Sequence, residues 1–231
     1  LLFQCQDVID RLKLFKRILL MVILIIGLLL IFINPIQNAI IDRLSNRLST
    51  IDYSAAAIEK NNEAQADFEF DDVQSLSIAE VLQAQVKASN MPVIGSIIVP
   101  SVEMQLPILK GVGNAVLAAG AGTMKPDQQL GQGNYALAGH YFENKDILFS
   151  PLYKAQVGDR IYVTDMTDVY EYQLATKKII AATDIYILND IPDQTLLTLI
   201  TCAEKGSKRL AIQANFVQSF PLENAQDIFQ P

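Results

Sequence analysis

A thiol, an imidazole and a guanidinium together can run nucleophilic acyl chemistry, and in this chain the first two are scarce. Cys202 closes the apolar run at 196–201, Leu-Leu-Thr-Leu-Ile-Thr, seven residues before Arg209. The run is short and rich in β-branched residues, so it reads as a buried strand, with a turn at Glu204-Lys205-Gly206-Ser207 and a returning strand over 209–217. In such a hairpin Cys202 and Arg209 stand opposite each other, with Cβ atoms on one face and about 5 Å apart, while Lys208 points the other way. His140, the one histidine, ends the strand-like segment Asn-Tyr-Ala-Leu-Ala-Gly and is the natural acid or base near neutrality. The chemistry such a set allows is acyl transfer. Sulfur attacks a carbonyl carbon, the imidazole handles the leaving amine's proton, and the guanidinium stabilises the oxyanion. Taken singly, each has a plainer reading: inert core for the cysteine, a surface residue for the histidine, an edge charge for the arginine.

These residues must be held by a domain that starts well after the N-terminus. Half of the 231 residues are hydrophobic (51%), and an unbroken apolar run fills Ile18 to Ile33. Sixteen helical residues cover about 24 Å, slightly less than a bilayer's hydrocarbon core, and Leu14, Phe15 and the snorkelling Lys16 and Arg17 extend the reach. Arg11, Lys13, Lys16 and Arg17 precede the run and no comparable cluster follows it, which puts the N-terminus in the cytoplasm. No small-residue cleavage site closes the run, so a retained signal-anchor is favoured over a cleaved signal peptide. The basic residues on the cytoplasmic side face only Asp7 and Asp10, which leaves the rest of the chain fourteen Lys/Arg against twenty-three Asp/Glu. An ectodomain with about nine excess negative charges is a poor nucleic-acid binder. Cys5 and Cys202 then lie on opposite sides of the membrane and cannot pair, so Cys202 is an external free thiol.

The expected organisation is a cytoplasmic N-terminus (1–17), a transmembrane signal-anchor (18–33), a stalk or linker (34–75) and an extracellular domain (76–231). Ile36, Ile40, Ile41, Leu44 and Leu48 keep a helical spacing that extends the anchor as an amphipathic stalk. The polar, acidic stretch over 49–75 reads as a spacer, and Ser77 with Glu80 matches a capping box opening a short helix to Lys87. From Val93 onward short β-rich runs at 96–100, 105–111, 134–141, 159–165, 169–181, 196–202 and 209–217 predict an all-β barrel or sandwich.

Four stretches make the chain resemble class A sortases, the membrane-anchored cysteine transpeptidases of Gram-positive bacteria. Thr198–Cys202 (TLITC) resembles the nucleophile motif, Leu137–Tyr141 (LAGHY) the histidine motif, and KRLAIQ around Arg209 the arginine strand. Residues 91–111 with Gly120–Pro126 resemble the first strands and the loop after them. The resemblance spans roughly residues 68–220 in order, together with the N-terminal anchor. It implies an all-β, sortase-like eight-stranded β-barrel with short helices, preceded by an N-terminal transmembrane helix. It further implies cleavage of a C-terminal Leu-Pro-any-Thr-Gly sorting signal between Thr and Gly. In that scheme Cys202 forms a thioacyl-enzyme, His140 is the acid/base, Arg209 holds substrate and oxyanion, and Thr201 assists. The implied partners are surface proteins bearing the sorting signal, an amine of a peptidoglycan precursor as acceptor, and the lipid bilayer. Residues 182–190 resemble the loop that packs over the signal's Leu-Pro, making Ile185, Ile187 and Leu188 candidate apolar contacts, and Ala138 matches a small groove residue.

One departure bears on metal binding. Some class A members hold calcium with carboxylates from the loop before the histidine strand, where this chain has Lys125, Gln128 and Gln132, leaving Asp190 alone from the later loop. Calcium needs several hard oxygen ligands, so neither a metal nor another cofactor is expected. Two rival readings remain open here: a pilin-polymerising sortase with a lysine acceptor, for which no Asp-Pro plug precedes the barrel, and a non-enzymatic membrane-anchored β-barrel binding module.

Overall fold

The structure, a computed structural model, describes residues 2–49, 54–68, 78–88, 91–143, 146–225 and 228. It divides into two units, Leu1–Ala39 and Ile40–Pro231. Helix α1 (Leu2–Ser49) contains Pro35, which removes one main-chain donor without ending the helix. In the first unit the described large apolar side chains from Ile18 to Phe32 are between 45% and 69% exposed. The expected span at 18–33 includes Leu29, Leu30 and Ile33, whose side chains lie outside the described residues. Among the described residues no helix is long and apolar enough to cross a membrane.

The second unit is built on eight strands: β1 (Val93–Val99), β2 (Met104–Leu109), β3 (Ala121–Thr123), β4 (Asn134–Ala138), β5 (Arg160–Thr164), β6 (Asp168–Ala181), β7 (Leu196–Ala203) and β8 (Lys208–Pro221). They close a barrel in the order β1-β2-β3-β4-β7-β8-β6-β5. Closure leaves no free sheet edge to attract other chains. The β2–β3 and β4–β7 pairs are parallel and the other pairs antiparallel. Period-two alternation sends Tyr135, Leu137, Leu197, Leu199, Leu210 and Ile212 into the interior, where they join Ile97, Ile108, Phe149, Ile161 and Tyr172. The barrel and its strand positions agree with expectation, except that β3 was read as part of a loop.

The stretch expected to be a stalk does not stand clear of the barrel. Ile41 is buried in the main core, and Leu44 and Leu48 pack with Ala84, Ala88, Val93, Leu109, Ala118 and Ala119 in a second core outside the barrel wall. Here α1 meets helix α3 (Ile78–Lys87), and the short helix α4 (Asn114–Leu117) lies alongside Ala118 and Ala119. Each fully buried leucine contributes about 2 kcal/mol, enough to hold the helix end on the wall. Helix α2 (Ala55–Asn62), capped by the Ser54 hydroxyl accepting from the Ala57 amide, is tied to β1 by Asn61 Nδ2 donating to Val93 O at 2.7 Å. The main chain at Asp67 accepts from the Val112 amide at 2.7 Å. A polar composition suggested a spacer, but a few apolar and main-chain contacts bind it to the domain. The expected cap Ser77 lies outside the described residues.

Candidate active site

β7 and β8 form the expected hairpin, and their register sets Cys202 directly opposite Arg209 and Ala203 opposite Lys208. Cys202 is half-buried and free. The turn between them needs main-chain angles that favour glycine, with Gly206 at φ 92°. Arg209 lays its guanidinium over this turn, Nη1 donating to Gly206 O at 2.8 Å and to Lys208 O at 3.0 Å. Its Cβ therefore lies beside the thiol, while its charged end is seated at the hairpin tip.

The parallel β4–β7 ladder brings the histidine to the same level. Ala138 pairs with Ile200, and the Gly139 amide extends the ladder by donating to Ile200 O at 3.1 Å. Two residues beyond Ala138 comes His140, and two beyond Ile200 comes Cys202. The histidine, 6% exposed, is held by its neighbours in the chain: Phe149 N donates to His140 O at 3.1 Å, and Phe142 N donates to Ser150 Oγ at 2.8 Å. The Phe142 ring meets the imidazole edge-on at 6.3 Å. Only glycine fits at 139, because a Cβ there would come within 2.5 Å of the Phe149 ring. Thr201 faces away from Cys202 on β7; it is 2% exposed and its hydroxyl donates to Gly139 O at 2.6 Å. Thr201, expected to assist beside the thiol and counted among the substrate-binding residues, fastens the histidine's approach from inside the barrel wall.

Beside Cys202, on the outer face of β4, β7, β8 and β6, lie two small apolar clusters. Ile180, Ile187, Ile200 and Ala211 pack together with Met124 and Leu188 at their side, and Ala138 packs with Val112, Leu117 and Met124. Ala138, Ile187 and Leu188 belong to these clusters, whereas Ile185 is 72% exposed and outside them. Sequence reasoning did not pick out Ile200, Ala211, Ile180 or Met124. The alternation within β7 and β8 carried the signal, since it places Ile200 on the face of Cys202 and Ala211 on the face of Arg209.

At the far end a polar clasp fixes the 3₁₀ segment Ile185–Leu188. Asn134 Nδ2 donates to Ile187 O at 2.9 Å and Asn189 O at 3.2 Å, and its Oδ1 accepts from the Thr198 hydroxyl at 2.6 Å. Gln213 Nε2 donates to Ile187 O and Thr198 Oγ1, both at 3.3 Å. The clasp also holds the residues considered for calcium. Lys125 Nζ lies 2.7 Å from Asp190 Oδ1, which also accepts from the Asn134 amide at 2.8 Å. Lys125 donating to it, together with the Asn134 amide, holds the Asp190 carboxyl below its ordinary pKa. Gln128 is turned to β4, bonding Ala136 N and O at 3.0 Å each. The Lys125 ammonium already neutralises the Asp190 carboxylate, and among the described residues Asp127 is the one other carboxylate lining this pocket, so this donor set does not fit calcium. Among the described residues no group of three or more His, Cys, Asp or Glu could hold a metal ion.

The chain is similar in sequence and fold to known proteins. A family model described as the sortase domain matches residues 97–217. The chain is 40% identical over 220 residues to sortase A of Streptococcus agalactiae serotype III (strain NEM316), covering 92% of this chain and 89% of that one. It is 42% identical over 187 residues to sortase A of Listeria monocytogenes serovar 1/2a (strain ATCC BAA-679 / EGD-e), covering 81% and 84%. The crystal structure of Listeria monocytogenes sortase A aligns with a TM-score of 0.57 and 38% identity, over 59% of this chain and 97% of that one.

Proposed function

This chain belongs to the sortase family and is a cysteine transpeptidase, and from that premise we propose that it cleaves a Leu-Pro-any-Thr-Gly sorting signal through Cys202. As the sulfur attacks the threonine carbonyl carbon the thiol proton passes to His140, and the Thr–Gly C–N bond breaks as the glycine nitrogen takes that proton. An amine of a cell-wall precursor then attacks the thioester, its proton passing through His140 to the departing sulfur, which forms the new amide and restores the thiol. Water competes as acceptor. Arg209 is hinged to serve the oxyanion: its Cβ is fixed opposite Cys202, and its guanidinium needs only to swing from the turn carbonyls of Gly206 and Lys208. Ala138, Ile187, Leu188 and Ile200 form the apolar trough for the signal's leucine and proline, with exposed Ile185 as a further contact at the rim. The observation that carries this reading is the three-strand register that puts Cys202 opposite Arg209 and level with His140.

The helix before the domain supports a membrane location. A run of large apolar side chains about half exposed along α1 would be unstable in water and is satisfied by lipid. With Arg11, Lys13, Lys16 and Arg17 before it, the N-terminus is cytoplasmic and the catalytic domain external. The test is to incubate the full chain with a Leu-Pro-any-Thr-Gly peptide and an amine. Mass spectrometry should find the Thr–amine product; an intact peptide would leave only a binding module, and transfer confined to a lysine side chain would indicate pilin polymerisation.

A further inference from the structure

Beyond the three reactive residues, one tyrosine joins the nucleophile's main chain to the histidine's loop. Tyr153 ends the 3₁₀ turn Ser150–Tyr153, and its hydroxyl donates to Cys202 O at 2.9 Å. The geometry of the parallel ladder explains why that carbonyl needs a partner. The Gly139 amide takes Ile200 O, so the next rung, two residues on, would run from the Tyr141 amide to Cys202 O. β4, however, ends at Ala138 and the chain turns away to carry His140. The Tyr153 hydroxyl makes the missing rung. Its ring meanwhile packs on that of Tyr141, centroids 4.6 Å apart and planes at 42°.

Tyr153 is itself braced. Lys177 Nζ on β6 donates to Tyr153 O at 2.7 Å and to Ala155 O at 2.9 Å, spending an ammonium on the carbonyls at the end of the turn. At its start the same turn is tied to His140 O and the Phe142 amide through Phe149 and Ser150. A single short segment therefore touches the peptide on the C-terminal side of the thiol and both residues following the histidine.

We propose that Tyr153 is a positioning residue for the transfer reaction: its hydroxyl fixes the Cys202 peptide where β4 leaves the ladder, and its ring fixes Tyr141 and with it His140. This rests on Cys202 acting as the nucleophile. The same hydrogen bond holds the Cys202 main chain and so sets the sulfur's approach to a carbon electrophile, so losing it slows alkylation as well as transfer.

The test compares wild type with Tyr153→Phe and Tyr153→Leu in the full chain, in detergent. Three quantities are read: kcat and KM with the sorting peptide, the Tm, and the rate at which iodoacetamide alkylates the Cys202 peptide at pH 7. Tyr153→Phe should lower kcat about tenfold with KM within about twofold, slow alkylation about threefold, and leave Tm within about 2 °C. Tyr153→Leu, which also removes the ring, should lower kcat about a hundredfold. Wild-type kcat and alkylation in Tyr153→Phe would overturn the proposal, as would a kcat loss that only follows a fall in Tm. A Leu variant no worse than Phe would overturn the part assigned to the ring. Wild type that fails to cleave the peptide would instead defeat the nucleophile reading, and the alkylation comparison separates the two failures.

Discussion

The two ends of the outer face of β4, β7 and β8 are built on opposite plans. At the Cys202 end the candidate reactive side chains are placed by strand register, braced by the turn at Ser150–Tyr153: Cys202 opposite Arg209, and His140 two residues past the Ala138–Ile200 pair. At the Asn134 end nothing reactive is present. There, side-chain amides, a hydroxyl and one ion pair hold down the segment Ile185–Leu188, whose Ile187 forms part of the apolar trough. Reactivity is entrusted to the rigid ladder, and substrate shape to a loop clasped onto it. The two ends should therefore fail differently when mutated, the first in kcat and the second in KM.

The largest effect is expected from Cys202→Ala, which should remove transfer by at least about 10⁴-fold while leaving the fold intact, since the thiol is half-buried and makes no cross-link. Residual cleavage near wild type would erase the contrast between the ends. Asn134→Leu comes next. It removes the Asn134 amide from the Thr198 hydroxyl and the Ile187 and Asn189 carbonyls in a buried site, leaving the first two only their longer bonds from Gln213, and should cost about 2 kcal/mol in chemical denaturation and raise KM several-fold. An unchanged KM would mean the clasp does not shape the trough.

A smaller change should follow Lys125→Met, because the Asp190 carboxylate is largely exposed and keeps the Asn134 amide: a KM rise of about twofold, with no response to calcium or a chelator. The pH dependence has a definite sign. Asp190 is held below its ordinary pKa, so its contribution is complete above the usual carboxylate range and disappears only as pH falls through the depressed value. NMR titration of the Asn134 amide should therefore show its shift change below the ordinary aspartate range in wild type, and closer to that range in Lys125→Met. Ile185→Ala should be the mildest. At 72% exposure it should shift stability by less than about 0.5 kcal/mol, yet raise KM about threefold if the rim touches peptide. A KM at wild type would confine recognition to Ala138, Ile187, Leu188 and Ile200.

The same contrast governs what could be read from the sequence. The Cys202 end was legible because a β-branched run, a four-residue turn and a returning strand fix a hairpin, and a hairpin fixes its cross-strand pairs. Thr201 was read from its match to a family threonine just before the nucleophile; alternation turns neighbours to opposite faces, and its hydroxyl reaches Gly139 O, a bond the sequence does not announce. The Asn134 end was not legible. Asn134 and Gln213 look like ordinary polar interruptions of two strands, and only the fold reveals that both converge on Ile187 O from 53 and 26 residues away. β3, Ala121-Gly122-Thr123, has no strand signature of its own and is held in place by Ile108–Leu109 and Leu137–Ala138. In 34–75 the spacing of Ile41, Leu44 and Leu48 announced an apolar face, but the sequence could not say that the face was for the barrel wall.

The central claim is that Cys202 is the covalent nucleophile of this site. The direct measurement is the intact mass of the full chain after brief exposure to a Leu-Pro-any-Thr-Gly peptide without added amine, followed by mapping of the modified residue. A gain equal to the peptide's Leu-Pro-any-Thr acyl fragment, located on Cys202 and discharged by added amine, is the predicted result. Peptide cleavage with no such adduct, or with the adduct on another residue, would contradict it.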